Sequence, residues 1–382
     1  MNLFPSMGGS GVLATRLGEH LADRGHTVHL ITYDRPFLSS EEDRPGLHIE
    51  IVKRHNYPLF DTIGQPYAMS LASKVLEIAA NPGLDVIHVH YAIPHILSAY
   101  AVSKLSGVPY VVTLHGSDAH SLGWTPSFRE VMRMTLEEAQ AVTTVSEFLR
   151  NIVYEKIGVK REINVIPNFI DIDAFKPRRD VRFCLDTGCI KKRETLNPGN
   201  VEKEERLLFH ASNYRAGKRV PELIDAFKIV VDSYPNVQLL IAGDGPQRPE
   251  VESRLSALGL KDKVKLLGKR QDICDLLCCS DIFLLFSNVE GMPLTVLEAM
   301  SCGVPVVTTP VGGTPELVRS GQDGFVTKSL DKEEYAQAVI RLLEDEPLRM
   351  KLGAAGRRRV EESFSTNAIV PKYEKLLEQA IS

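Results

Sequence analysis

A chain of 382 residues exceeds what one hydrophobic core ordinarily organises, and it implies two domains. Its 43% apolar and 25% charged content is that of a globular protein, and a net charge of −4 gives no electrostatic case for nucleic-acid binding. No apolar run approaches the roughly 20 residues needed to span a bilayer, and the residues after Met1 lack a leader pattern. A cytoplasmic protein without integral membrane association is the expectation.

In chain order, the first half alternates strands and helices. Strands are predicted at 27–32, 47–52, 86–90, 110–114, 141–145 and 163–166, with helices near 11–24, 67–80, 94–105, 127–139 and 147–157. The second half repeats the rhythm, with strands at 207–211, 238–242, 263–267, 282–286 and 304–308. Its helices fall near 220–234, 249–258, 273–279 and 294–301. The fold class is therefore α/β, with two doubly wound Rossmann-like domains and ligand contacts at the carboxyl ends of the strands. The predicted domains are 1–170, 171–363 and a last helix, 364–382, crossing back to the first. A polar stretch over 176–205 joins the two, and the tail is helical from Lys332 with a break at Phe364-Ser365-Thr366. Only Asn2-Leu3-Phe4 precede the first glycine loop, where a doubly wound domain needs a buried central strand, so the true start is expected upstream.

Six cysteines are present, at 184, 189, 274, 278, 279 and 302. They lack paired CxxC spacing, so reduced thiols are expected and no metal is assigned. Cys274 and Cys278, one helical turn apart, read as two small buried hydrophobes. His88, His90 and His95 invite a metal reading, but no acidic cluster accompanies them.

The candidate chemistry lies in the turns. Gly8-Gly9-Ser10-Gly11 opens the first helix and allows close backbone approach to a phosphate, without the GxGxxG spacing of a dinucleotide site. His115, in Thr113-Leu114-His115-Gly116-Ser117-Asp118, follows a strand and either meets a sugar hydroxyl, carries a proton, or is a structural histidine. Arg215 and Lys218 follow the second domain's first strand, where two cations fit diphosphate clamping or form a plain basic turn. Glu290 ends an apolar strand, and Glu298 stands eight positions on, inside the next helix. The small residues between them aim backbone N–H groups at one spot, which suits either a capped helix or a phosphorylated sugar.

Taken together, Glu290 to Glu298, Ala299-Met300-Ser301-Cys302-Gly303-Val304-Pro305 and Gly312-Gly313-Thr314-Pro315-Glu316 resemble the retaining glycosyltransferases of family four. The likeness covers nearly the whole chain. It implies the GT-B fold, two Rossmann-like domains facing across a cleft. It also implies that Glu290 meets the donor sugar, Glu298 the nucleotide ribose, Arg215 and Lys218 the diphosphate, while His115 lies beside the transferred sugar. Gly9, Gly291, Met292 and Leu294 supply further donor contacts through the backbone.

A narrower likeness, through the strings at 5–11, 88–95, 114–118 and 212–215, is to members that transfer N-acetylglucosamine from UDP-N-acetylglucosamine to L-malate in bacillithiol synthesis. It implies that Ser10, Tyr91, Thr113, Asn213 and Arg215 hold the acceptor carboxylates. No cofactor and no divalent metal is expected, and whether the chain is a monomer or a homodimer is left open. One departure matters: Met292-Pro293 stands where the family usually carries Phe-Gly, and Pro293 has no N–H to offer. Alternatives are another sugar or lipid acceptor, a UDP-sugar epimerase, or a non-catalytic nucleotide-sugar binder.

Overall fold

The computed structural model describes residues 9–34, 44–52, 67–178 and 205–382. They form two compact units, Met1–Phe169 with Asn367–Ser382, and Ile170–Thr366. The opening strand and the stretch 179–204 fall outside the described residues.

The first unit contains helix α1 (Gly9–Asp23), strands β1 (Val28–Thr32) and β2 (Leu47–Ile51), α2 (Tyr67–Ala80), β3 (Ile87–His90) and α3 (Ala92–Ser106). It continues with β4 (Tyr110–Leu114), α4 (Ser117–His120), α5 (Arg129–Glu138), β5 (Ala141–Thr144), α6 (Glu147–Ile152) and β6 (Asn164–Val165). Strands β3-β4-β5-β6 make a parallel sheet in that order, and β1 pairs with β2, also parallel. Every residue of β4 is buried, the unbroken apolar pattern of a parallel strand covered on both faces. Helix α3 begins two residues before its predicted start, and Ile93 breaks its geometry (φ −95°, ψ 121°). Pro94 causes this, because its ring drives the preceding residue out of the helical region.

The second unit contains β7 (Arg206–Ala211), α7 (Val220–Ser233), β8 (Val237–Ala242), α8 (Arg248–Ala257), β9 (Val264–Gly268) and α9 (Ile273–Cys278). There follow β10 (Ile282–Leu285), α10 (Leu294–Ser301), β11 (Val306–Thr308), α11 (Thr314–Leu317), β12 (Phe325–Val326), α12 (Lys332–Glu344) and α13 (Glu346–Ser363). The sheet is parallel throughout, ordered β12-β11-β10-β7-β8-β9. Strand β11 starts two residues later than predicted, since Pro305 has no N–H for the ladder. Helix α7 buries Leu223, Ile224, Phe227 and Val230, one stripe at helical spacing, against Leu208, Leu239 and Ile241 of the sheet.

The last helix, α14 (Thr366–Ile381), groups with the first unit from Asn367 onward. Arg24 and His26 hold its Glu374 at 2.6 and 2.8 Å, and the Tyr373 ring lies 5.7 Å from that of His88. Among the described residues, no helix is long and apolar enough to cross a membrane. The thiols depart from the expectation of full reduction. Cys279 is disulfide-bonded, while Cys274, Cys278 and Cys302 are free.

Candidate active site

In the second unit the crossovers run in opposite directions from β7, which lies between β10 and β8. The carboxyl edge beside the loops after β7 and β10 is therefore the usual ligand position in such sheets. Lys218 comes from the first loop and Glu290 from the second. Their Nζ and Oε1 atoms meet at 2.6 Å, with Glu290 buried and Lys218 partly open. Arg215 is exposed on the same loop. The Oδ1 of Asn213 is buried and, among the described residues, has no hydrogen-bond partner.

These loops interlock through the backbone. Asn288 N–H donates to Gly217 O at 3.0 Å, Gly313 N–H to Gly291 O at 3.0 Å, and Gln247 N–H to Tyr214 O at 3.1 Å. Gly312 (φ +59°) passes so close that a Cβ there would lie 1.6 Å from Glu290 O. Only glycine fits that approach.

Pro293 precedes helix α10 at its N-cap and offers no side-chain cap, so the first N–H groups of the helix lack one. Gly291 and Met292 are buried at this turn, and Leu294 is half-buried. Glu298 stands one turn into the helix. It is half-buried by surface exposure yet surrounded by protein, and burial, with Cys274 adding a smaller push, raises its carboxyl to about 8. The far end of α10 is firmly held. Ser301 Oγ donates to Phe175 O at 2.6 Å, and the Arg357 guanidinium donates to Ser301 O at 2.7 Å and Phe175 O at 2.8 Å.

The first unit gathers its polar residues at the carboxyl ends of β3 and β4 and the start of α1. Gly9 is exposed and Ser10 half-buried where α1 begins. Tyr91 takes a left-handed conformation (φ 68°), and its phenol hydrogen-bonds Ser117. The Asp118 carboxylate joins two loops, accepting from Ala92 N–H at 3.0 Å, Gly116 N–H at 2.8 Å and His115 N–H at 3.1 Å. His115 Nε2 and His90 Nδ1 are 3.0 Å apart. Burial depresses both imidazoles, His115 to about 3, so both are neutral at pH 7 and serve as hydrogen-bonding groups.

Thr113 departs from its expected role. It is fully buried, with its hydroxyl 2.8 Å from both His88 Nε2 and Thr143 Oγ1, so no surface remains for an acceptor.

Sequence reasoning singled out neither Asp118 nor His90 for the site. An acid two residues after Gly116 on a strand-to-helix turn was the available signal for Asp118. The expectation of no divalent metal took the chain to lack an Asp-x-Asp motif, yet Asp171-Ile172-Asp173 has that spacing. The structure spends Asp171 on a turn, its Oδ1 accepting from Asp173 and Ala174 N–H at 2.9 and 3.0 Å.

Residues 7–174 match the family described as Glycosyltransferase Family 4, and residues 191–359 match Glycosyl transferases group 1. The N-acetyl-alpha-D-glucosaminyl L-malate synthase of Bacillus anthracis is 37% identical over 375 residues, spanning 98% of this chain and 94% of that one. This chain is a family-four glycosyltransferase.

A second relative of the enzyme, 28% identical across 80% of each chain, is the GDP-mannose-dependent monoacylated alpha-(1-6)-phosphatidylinositol monomannoside mannosyltransferase of Corynebacterium glutamicum. Among solved structures, the Anabaena protein HepE in complex with UDP and glucose superposes with a TM-score of 0.81 at 22% identity, covering 99% of this glycosyltransferase and 98% of HepE. Sucrose-phosphate synthase of Thermosynechococcus elongatus gives 0.79 at 22% identity, over 97% and 93% of the two chains. The glycosyltransferase thus has the GT-B fold.

Proposed function

We propose that this glycosyltransferase moves N-acetylglucosamine from UDP-N-acetylglucosamine to L-malate in the cytoplasm, with retention at the anomeric carbon. This is the first step of bacillithiol synthesis. The observation that carries the reading is the 37% identity, across 98% of the chain, to the Bacillus anthracis malate synthase.

In this reading Glu298 holds the ribose diol, and its raised carboxyl lets it donate as well as accept. Arg215, Lys218 and the backbone donors of Gly291, Met292 and Leu294 hold the diphosphate, with Gly9 at the start of α1 adding a donor. Glu290 receives sugar hydroxyls, and His115 hydrogen-bonds the transferred sugar as a neutral imidazole. Ser10, Tyr91, Asn213 and Arg215 receive the malate carboxylates. Thr113 acts through His88 instead of touching malate.

The malate hydroxyl oxygen bonds to the anomeric carbon as the bond to the β-phosphate oxygen breaks. UDP leaves from the same face, and its β-phosphate accepts the hydroxyl proton. Negative charge grows on that phosphate in the transition state, where the two cations stabilise it most. They supply the charge that a divalent cation supplies in other transferases.

The test is mass spectrometry of the product formed from UDP-N-acetylglucosamine and L-malate. One N-acetylglucosaminyl malate per UDP released is expected. Transfer only to another acceptor, or consumption of the donor at the same rate without malate, sinks the malate assignment.

A further inference from the structure

Cys274 and Cys278 lie four residues apart on α9, one turn along the same face. Cys302, 28 residues from Cys274, is the residue that ends α10. The Cys274 and Cys302 sulfurs are 3.8 Å apart, and all three Sγ atoms fall within 4.8 Å of one another. Cys302 is buried and the other two are half-buried, so the cluster is enclosed on one side and open enough to fill.

A disulfide would join only two of these sulfurs, at about 2.05 Å, and leave the third over. A tetrahedral thiolate site suits all three, because metal–sulfur bonds of about 2.3 Å put ligand sulfurs roughly 3.8 Å apart. Soft thiolates without carboxylates or imidazoles select zinc-class ions over magnesium or calcium. We propose that Cys274, Cys278 and Cys302 bind one Zn²⁺-class ion that ties α9 to the end of α10.

Three thiolates and a divalent ion carry one net negative charge. Arg178, which also pairs with Asp275, lies close enough to Cys274 for its charge to act on the thiolates. Cys278 Sγ–H donates to Lys176 O at 3.4 Å, a contact given up when the thiol ionises. Each ligating thiol releases its proton to solvent, so the ion is held more weakly as pH falls. The fourth position takes water or another donor.

The site has a structural consequence at α10. Cys302 N–H donates to Glu298 O at 3.0 Å, so an ion on Cys302 stiffens the turn that presents Glu298. This consequence rests on the ribose role proposed for Glu298. Metal binding itself does not.

The experiment uses the full chain, purified under argon without added reductant and without a metal-affinity tag. Elemental analysis should find about one zinc per chain. After chelator stripping, Zn²⁺ titrated against a chromophoric competitor should rebind at one site. The Cys302→Ser variant should weaken that affinity by at least about 10-fold, the least expected even for losing an outer-shell partner. Stripped wild-type protein loaded with Co²⁺ should show thiolate charge-transfer absorption. Should Cys302→Ser misfold, alkylation mapping of the wild type decides, since Zn²⁺ should protect all three cysteines together. No stoichiometric zinc, equal affinity in Cys302→Ser, thiols unprotected by Zn²⁺, or a Cys274–Cys302 disulfide in the native chain would each overturn the site.

Discussion

Lys218 and Glu290 are 72 residues apart in the chain and 2.6 Å apart in the fold, and each removal leaves a different residue of charge. Lys218→Ala strands a carboxylate with 7% side-chain exposure, whereas Glu290→Gln strands an ammonium with 24%. Lys218→Ala should therefore cost about 1–3 kcal/mol in urea unfolding, and Glu290→Gln less. Either change should reduce turnover by roughly 10²-fold if the pair acts on the transition state. The double variant Lys218→Met with Glu290→Gln separates the effects, because it should recover stability without recovering activity. Near-wild-type rates in both single variants would remove the pair from the reaction. Glu298 makes a second prediction. Its folded carboxyl titrates near 8, above its ordinary value of 4.5, so the folded chain holds a proton that the unfolded chain has lost between those values. Stability from this group falls as pH rises through that window, by at most about 1.4 kcal/mol per pH unit. Urea unfolding of Glu298→Gln at pH 5 and pH 8 should show a smaller decline than wild type; an equal decline would mean Glu298 titrates normally. Spacing marked both glutamates but left a capped helix and a phosphorylated-sugar site equally open. The direct bond to Lys218 was not legible, because a pairing across a crossover depends on strand order, which local sequence does not encode.

At the scale of elements, the β–α turns decide how well the site is held. Asp118 is wholly buried and spends its carboxylate on three backbone N–H groups of two different loops. Asn at this position keeps the size but turns an amide NH₂ toward donors. Asp118→Asn should lose about 1–3 kcal/mol of stability. Turnover should fall more than KM for the donor rises, because most of the donor contacts, all but Gly9 and His115, belong to the other unit. A variant with unchanged turnover would show that His115 needs no such support. Glycines give a controlled pair. Gly312 and Gly321 both have positive φ, +59° and +77°, but a Cβ meets Glu290 O at 1.6 Å in the first and nothing within 4 Å in the second. Gly321→Ala should cost about 1–2 kcal/mol of conformational strain and leave UDP binding intact. Gly312→Ala should in addition abolish measurable UDP binding by calorimetry, since the Glu290 loop must move. Equal UDP affinities would show that the loop yields without harm. Periodicity located most strands and helices here, because buried parallel strands read as continuous apolar runs. It misplaced the starts of α3 and β11, where proline set the boundary, and it missed β12, whose two residues are too few to carry a pattern.

For the whole molecule, the two units differ in how strongly acid destabilises them. The first unit holds four histidines, His90 and His95 buried and His88 and His115 half-buried, all kept neutral by desolvation, with His88, His95 and His115 near 3. Unfolding lets them titrate near their ordinary 6.5, so the unfolded unit gains protons that the folded unit refuses. Stability from each is complete above about pH 6.5 and is lost as pH falls toward 3. Glu374 adds to the same loss at lower pH. Its carboxyl is held near 2, first by the hydrogen bond from Arg24 and then by that from His26, and that contribution goes as pH drops below 4.5. Asp118 works the other way, with its carboxyl raised by burial, but it is one group against five. The second unit has a single comparable histidine, His210 near 4, and its Glu298 gains stability over the pH range in which the first unit begins to fail. The two units should therefore not unfold together on acidification, and one two-state transition should not describe the chain. Hydrogen exchange followed by mass spectrometry from pH 7 to pH 4 should show protection lost first in β3, β4 and α3, while β7, β8 and α7 stay protected. The chain's one tryptophan, Trp124, belongs to the first unit, so its fluorescence should follow the earlier transition. Simultaneous loss in both units, or earlier loss in the second, would mean that these histidines are hydrated and carry protons in the folded state.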